Sequence, residues 1–214
     1  MTPLIIFWIS FGFMLFAIIY FDKKYCMLRD ISTATPHQPY SWARVQLAWW
    51  TIIVLSSFIS IVYINGDAPG LSQSTVILLG ISAATTATAR VIDLADEEKP
   101  GGIRHQNDFG KNFFLDILSD QTGVSVHRFQ TIIFNATFGV WFITEVLNHL
   151  PIECKDQECL DAIMPGISSN NLILLGLSSA TYAALKITEN KSATLTARQE
   201  NNNGQPIETD GSVG

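Results

Sequence analysis

Charge is scarce in this chain. Asp, Glu, Lys and Arg make up 15% of its 214 residues, against roughly 25% in an ordinary soluble domain. Too few polar side chains remain to clothe a globule in water, and a hydrophobic content of 48% with mean hydropathy +0.25 excludes a disordered chain. Positive charge is scarcer than negative: 13 Lys and Arg stand against 19 Asp and Glu, net −6, which excludes a basic nucleic-acid-binding surface. Three cysteines are too few for a disulfide-stapled secreted module. Catalytic signatures are missing as well, with no HExxH, CxxC, phosphate loop or G-x-S-x-G. His37, His105, His127 and His149 are scattered, and nothing brings nucleophile, base and orienter together. The expectation is a non-enzymatic protein without cofactor or metal.

What is present is a set of apolar runs. A bilayer core about 30 Å thick takes roughly 17–25 apolar residues in a helix. Five stretches fit: Leu4–Tyr20, Leu47–Ile64, Ser74–Ala89, Phe129–Leu147 and Leu172–Ile187, none containing Pro. Their length and lack of alternating polarity predict helices rather than barrel strands. The first run has no basic residue before it, Asp22-Lys23-Lys24 after it, and no small-residue cleavage site. It reads as an uncleaved anchor rather than a signal peptide.

Basic residues set the threading. With the N-terminus outside, segments 21–46, 90–128 and 186–214 lie inside and hold twelve of the 13 Lys and Arg, leaving only Lys155 outside. Such a bias in short loops orients membrane proteins, and it predicts five spans with the C-terminus inside, in a bacterial inner membrane. Cys154 and Cys159 then share the external loop, where a small disulfide can close; free thiols or a metal remain open, although a metal needs more ligands than this pair. Cys26 is inside and alone.

Two segments repeat. Residues 77–93 (ILLGISAATTATARVID) and 173–189 (ILLGLSSATYAALKITE) share Ile, Leu, Leu, Gly, Ser, Ala, Thr and Ala in register. The helices before them begin alike, with Ser41, Arg44 and Gln46 answered by Ser125, Arg128 and Gln130. This predicts two tandem helical hairpins, 41–93 and 125–189, in the same orientation and related by an axis along the membrane normal. The anchor (1–22), an inner loop (94–124) and a polar tail (190–214), read as disordered, complete the organisation.

Gly80, Ala84 and Thr88, and their counterparts Gly176, Ala180 and Ala184, recur every four residues and form a seam of small side chains suited to close helix packing. Around it lie Ser82, Thr85, Thr86, Ser178, Thr181 and Tyr182. Their hydroxyls either bond back to their own helix or line a polar path, which in so small a bundle requires several copies. Gln46, Gln130 and Asn135 suit interhelical hydrogen bonds. Glu145 is an intramembrane acid, either an interfacial carboxylate reaching water or a proton or cation site. Inside, Phe113, Phe114, Ile117 and Leu118 form one stripe of an amphipathic helix after the Pro100-Gly101-Gly102 break. That helix lies on the inner surface or docks on the bundle or a protein partner.

The stretch from Leu118 through Ser125 to Gln130 (LSDQTGVSVHRFQ), followed by Gly176-Leu-Ser-Ser-Ala-Thr-Tyr182, resembles a group of uncharacterised bacterial membrane proteins that read LSD-x-x-G-x-S-x-H-R-F-Q and G-I-S-S-G-T-Y. The likeness covers about residues 113–189, with an echo in 41–93. Ala180 replaces the second glycine of that pattern. The resemblance implies a bacterial inner membrane and a two-hairpin architecture, and carries no catalytic residue.

Together these readings describe an all-α membrane protein of five transmembrane helices. Its partners are the lipid bilayer and copies of itself, with a protein partner possible at the inner loop and no nucleic acid. The expected role is channel-like or membrane-permeabilising. An interaction or sensor module and a small proton- or cation-coupled transporter are the alternatives.

Overall fold

Where the chain is apolar it coils into helices, and where it must turn it uses caps. In the computed structural model, which describes residues 2–30, 38–97, 110–120, 123–152, 154 and 156–185, helix α1 (Pro3–Tyr25) opens with Pro at a first-turn position that needs no N–H donor. It ends as Cys26 turns left-handed (φ 54°) and returns its N–H to the Asp22 carbonyl. Helix α2 (Trp42–Asn65) stops at Gly66, whose φ of 80° a residue without Cβ adopts cheaply. Helix α3 (Gln73–Glu97) runs antiparallel beside it. The short α4 (Phe113–Leu118) is capped by Asn112, which accepts from Leu115 N at 2.9 Å. A two-residue antiparallel pair, β1 (Ser119–Asp120) with β2 (Gly123–Val124), leads into α5 (Val126–His149). Helix α6 (Gln157–Ile163) is capped by Asp156, and α7 spans residues 169–185.

The described chain is thus all-helical apart from that strand pair. Four helices, α1, α2, α3 (over Gln73–Ala95) and α5, are long and apolar enough to cross a membrane. The fifth expected span corresponds to α7, whose 17 described residues are fewer than in those four.

Helix α2 is central and contacts α1, α3, α5 and α6. Trp50, Phe7, Ile53, Leu78, Phe142, Val146 and Leu175 fill the middle of the bundle. Leu160, Ile163, Met164 and Ile167 bury themselves in the same core, so α6 and the turn after it fold over one end as a lid of side chains. A smaller cluster of Trp42, Ala43, Ala89, Ile117 and Tyr182 seals the other end. The outward face of α1 carries exposed Ile9, Phe13 and Phe16, as a helix bathed in hydrocarbon should.

Several boundaries differ from the apolar runs, because the backbone helix continues past the last apolar residue into polar ones. Helix α3 extends from residue 89 through Arg90 and Asp93, and α5 begins at Val126 rather than Phe129. The amphipathic helix spans its stripe, from Phe113 to Leu118, and ends where Ser119 turns extended. Helix α6 has no counterpart in the sequence reading. The tail 190–214, the Pro100-Gly101-Gly102 break, Lys186 and Glu189 lie outside the described residues.

Candidate functional site

Among the described residues, most side chains singled out from the sequence fall in the bundle interior, on the outward faces of α3 and α7, or at the two ends. Inside, polar groups tie helices together. Gln46 on α2 donates from Nε2 to Ser179 Oγ on α7 at 3.1 Å. Asn135 on α5 accepts the Trp50 indole N–H at Oδ1 (2.8 Å), accepts the Trp49 indole at its backbone carbonyl (3.1 Å), and donates to Thr131 O (2.8 Å). Gly139, one turn on, makes room for Trp49: a Cβ there would lie 2.6 Å from the indole carbons Cε2 and Cζ2.

The hydroxyls mostly serve their own helices. Ser82 donates to Leu78 O, Thr85 to Ile81 O, and Thr86 to both Ser82 O and Ala43 O, the last stitching α3 to α2 at 3.1 Å. Ser178 is buried, Thr181 half-buried, and Tyr182 lies buried beneath the Arg128 guanidinium, 5.4 Å from ring centroid to Cζ. Bonding back to the preceding turn satisfies such a hydroxyl without water.

The matching positions of the two hairpins are placed unequally. The N–H groups of Ser41 and Ser125 take parallel roles, reaching Leu28 O and Leu118 O respectively, and neither side chain caps its helix. Arg44, half-buried, donates to Met27 O at 3.2 Å, whereas Arg128 is buried. Gln46 is buried but Gln130 is exposed, so only the first of the pair bonds between helices here. Ala83 occupies the place in α3 that Ser179 occupies in α7.

No protein-family model, curated protein or solved structure matches this chain.

The small-residue stripes face outward. Gly80, Ala84 and Thr88 are exposed, as are Ala180 and Ala184, and a Cβ on Gly80 would meet nothing within 4 Å. Gly176 is half-buried, with Ile81 Cδ1 of α3 at 3.5 Å from the place of its missing Cβ. The seam is therefore not where the helices of one copy meet.

At the end of the bundle bearing Lys23 and Lys24, Asp22 is 4% exposed. Its carboxylate accepts from Leu28 N (2.9 Å) and pairs with Arg29 Nε at 3.7 Å. The Arg29 guanidinium lies over the Tyr40 ring, 4.7 Å from the centroid, and donates to the Tyr40 hydroxyl at 3.3 Å. Burial, and next the negative charge of Asp22, push the Tyr40 phenol above its ordinary value of 10.0. Asp116 of α4 closes the clasp, accepting from Tyr40 N (3.3 Å) and Lys111 N (2.8 Å). Sequence reading missed this cluster, because charges beside a span read simply as orientation. Of the α4 stripe, Ile117 is buried, Phe113 packs edge-on against Tyr40, and Leu118 is half-buried. Phe114 instead stands 70% exposed.

At the opposite end, Cys154 and Cys159 are joined in a disulfide with Cα atoms 5.4 Å apart. Asp161 of α6 accepts from Gly70 N (2.6 Å) and Gln157 Nε2 (2.8 Å), and Ser74 accepts from Ile167 N (3.0 Å), tying this cap to the α2–α3 turn. Glu145 is partly exposed here, 3.8 Å from His149 Nδ1. Among the described residues no three His, Cys, Asp or Glu gather as a metal site would need.

Proposed function

We propose that this chain is a non-enzymatic protein of a bacterial inner membrane that acts as a channel-like homo-oligomer, with α7 as the fifth span, the N-terminus outside, and the two hairpins related by duplication. One observation carries the reading. The exposed face of α3 presents Gly80, Ala84 and Thr88, where the exposed face of α1 presents Ile9, Phe13 and Phe16. Lipid fills the space over large side chains well, whereas small residues gain most when another backbone comes close. Trp50, Phe7 and Phe142 fill the middle of a single copy, which puts any conducting path between copies.

The test is the mass of the purified protein in mild detergent together with ion flux from liposomes that contain it. A discrete multimer with flux is expected, and Gly80→Leu with Ala84→Leu should convert it to monomer and abolish flux. A wild-type monomer without flux refutes the reading.

A second reading, an interaction module, draws support from Phe114, which is exposed, as are Val124 and Val126. Phe114→Asp should then release a bound partner while the protein still inserts. Phe113 is unsuited to that test because it packs on Tyr40. A coupled transporter would need Glu145, and Glu145→Gln leaving uptake unchanged would speak against it.

A further inference from the structure

Helix α4 has only six residues, too few to persist without support, and its support comes from one side. Phe113 packs edge-on against Tyr40, with ring centroids 5.1 Å apart, and Ile117, one turn on, is buried in the cluster of Trp42, Ala89 and Tyr182. Phe114, about 100° further round the helix, is left 70% exposed, and Leu115 is exposed as well. Two bonds fix the level of this free edge. Asp116 accepts from Tyr40 N at 3.3 Å, in the clasp built on Asp22, the first charge after the apolar run of α1. Leu118 O accepts from Ser125 N at 2.9 Å, just before the first turn of α5. Both neighbours place α4 where a span ends.

Helix α5 shows what surrounds that level. Val126, Phe129, Ile133 and Val140 are all exposed, and at 3.6 residues per turn they fall within about 60° of one another around the axis. Such an outward apolar stripe on a span is the surface that lipid covers. From Val126 to Glu145 the helix rises about 28 Å, close to the roughly 30 Å of a hydrocarbon core. His127 and Gln130, exposed in the first turn with Val126, put that turn at the boundary between headgroups and acyl chains. Val124 is exposed just before it. Lys23, Lys24 and Lys111 are exposed at the same end, with the sign that lipid phosphates attract.

We infer that α4 and the strand pair form a lipid-contacting surface: Phe114, Val124 and Val126 enter the headgroup–acyl boundary of the leaflet next to Lys23 and Lys24, while Phe113 and Ile117 hold α4 to the bundle. The inference rests on the membrane reading of α5 and does not depend on assembly. Apolar side chains of a segment held at that depth gain by immersion, whereas a partner in water reaches Phe114 only by displacing headgroups.

The test places nitroxide spin labels, one at a time, at Phe114→Cys, Val124→Cys, Ile133→Cys and Lys111→Cys in full-length protein. Each variant also carries Cys26→Ser, which removes the free thiol and leaves the Cys154–Cys159 disulfide intact. In liposomes of phosphatidylethanolamine and phosphatidylglycerol, power saturation compares collisions with oxygen, which concentrates in hydrocarbon, and with a water-soluble nickel chelate. Oxygen should dominate at Phe114→Cys, Val124→Cys and Ile133→Cys, most strongly at the last, and nickel at Lys111→Cys. Circular dichroism confirms that each variant is folded. Nickel dominating at Phe114→Cys while oxygen dominates at Ile133→Cys would overturn the inference and leave α5 a span, with Phe114 open to a partner from the water. Nickel dominating at both would overturn the inference and the membrane reading of α5 together. A Phe114→Cys label shielded from both reagents, with dipolar broadening between labels, would show a second copy on this surface and would overturn it as well.

Discussion

Gly139 sets how closely α2 and α5 approach, and Gly139→Ala measures it. A methyl there would sit 2.6 Å from Trp49 Cε2 and Cζ2, while ordinary carbon contacts need about 3.5–4.0 Å. The indole must retreat by about 1 Å, which stretches its 3.1 Å bond to the Asn135 carbonyl beyond hydrogen-bonding range. Overpacking of this kind costs about 1–3 kcal/mol, and an interhelical hydrogen bond in a membrane protein is worth about 0.6 kcal/mol. Against these, Ala in a helix interior gains about 1 kcal/mol over Gly. The net expectation is a loss of about 1.6 kcal/mol, roughly a fifteenfold fall in the folded-to-unfolded ratio. Unfolding in mixed micelles with increasing denaturing detergent, followed by circular dichroism, reads it. Gly12→Ala is the control, because a Cβ there meets nothing within 4 Å and only the propensity gain applies. If Gly139→Ala proves as stable as Gly12→Ala, the close approach of α2 to α5 is not where the structure places it.

Two further expectations rest on the ends of the bundle. Reducing the Cys154–Cys159 bridge, which closes a loop with a sequence separation of 5, should cost about 2 kcal/mol by chain entropy; the double Cys→Ser variant should match it and be indifferent to reductant. Tyr40 has a folded-state pKa above its ordinary value, so the stability it contributes is whole below about pH 10 and lost as pH rises through the raised value. Tyrosinate absorbance should show one late-titrating phenol that disappears in Tyr40→Phe, and wild type should lose its stability advantage over that variant only at alkaline pH.

Four of the five expected spans were legible because length without charge is one requirement that a local reading can test. The closeness of Cys154 to Cys159 was legible for a similar reason, since few residues separate them. What could not be read was rotation about each helix axis. Gln46 and Gln130 occupy like positions in like sequences, yet one is buried against Ser179 and the other is exposed. Which of them turns inward depends on neighbours more than a hundred residues away. The small-residue stripe carried the same ambiguity and turned outward. The Asp22, Arg29, Tyr40 and Asp116 clasp unites residues from α1, the turn after it, the segment just before α2, and α4, and no local periodicity encodes such a meeting. Helix α6 was hidden by its shortness, for a seven-residue helix owes its existence to a cap and to the core beneath it.

The bond between Gln46 and Ser179 also has a date in the life of the chain. Its partners are 133 residues apart in sequence, and synthesis proceeds at about 5–20 residues per second, so the Gln46 amide waits roughly 7–27 s for Ser179 to be made. Trp50 waits for Asn135 across 85 residues, roughly 4–17 s by the same clock. Helix α2, the centre of the finished bundle, thus stays long without these polar partners. During that interval its amide and indole hydrogens must be served by headgroups, water or the insertion machinery, and any factor that shortens the delay would protect this protein more than one whose polar pairs are neighbours in sequence.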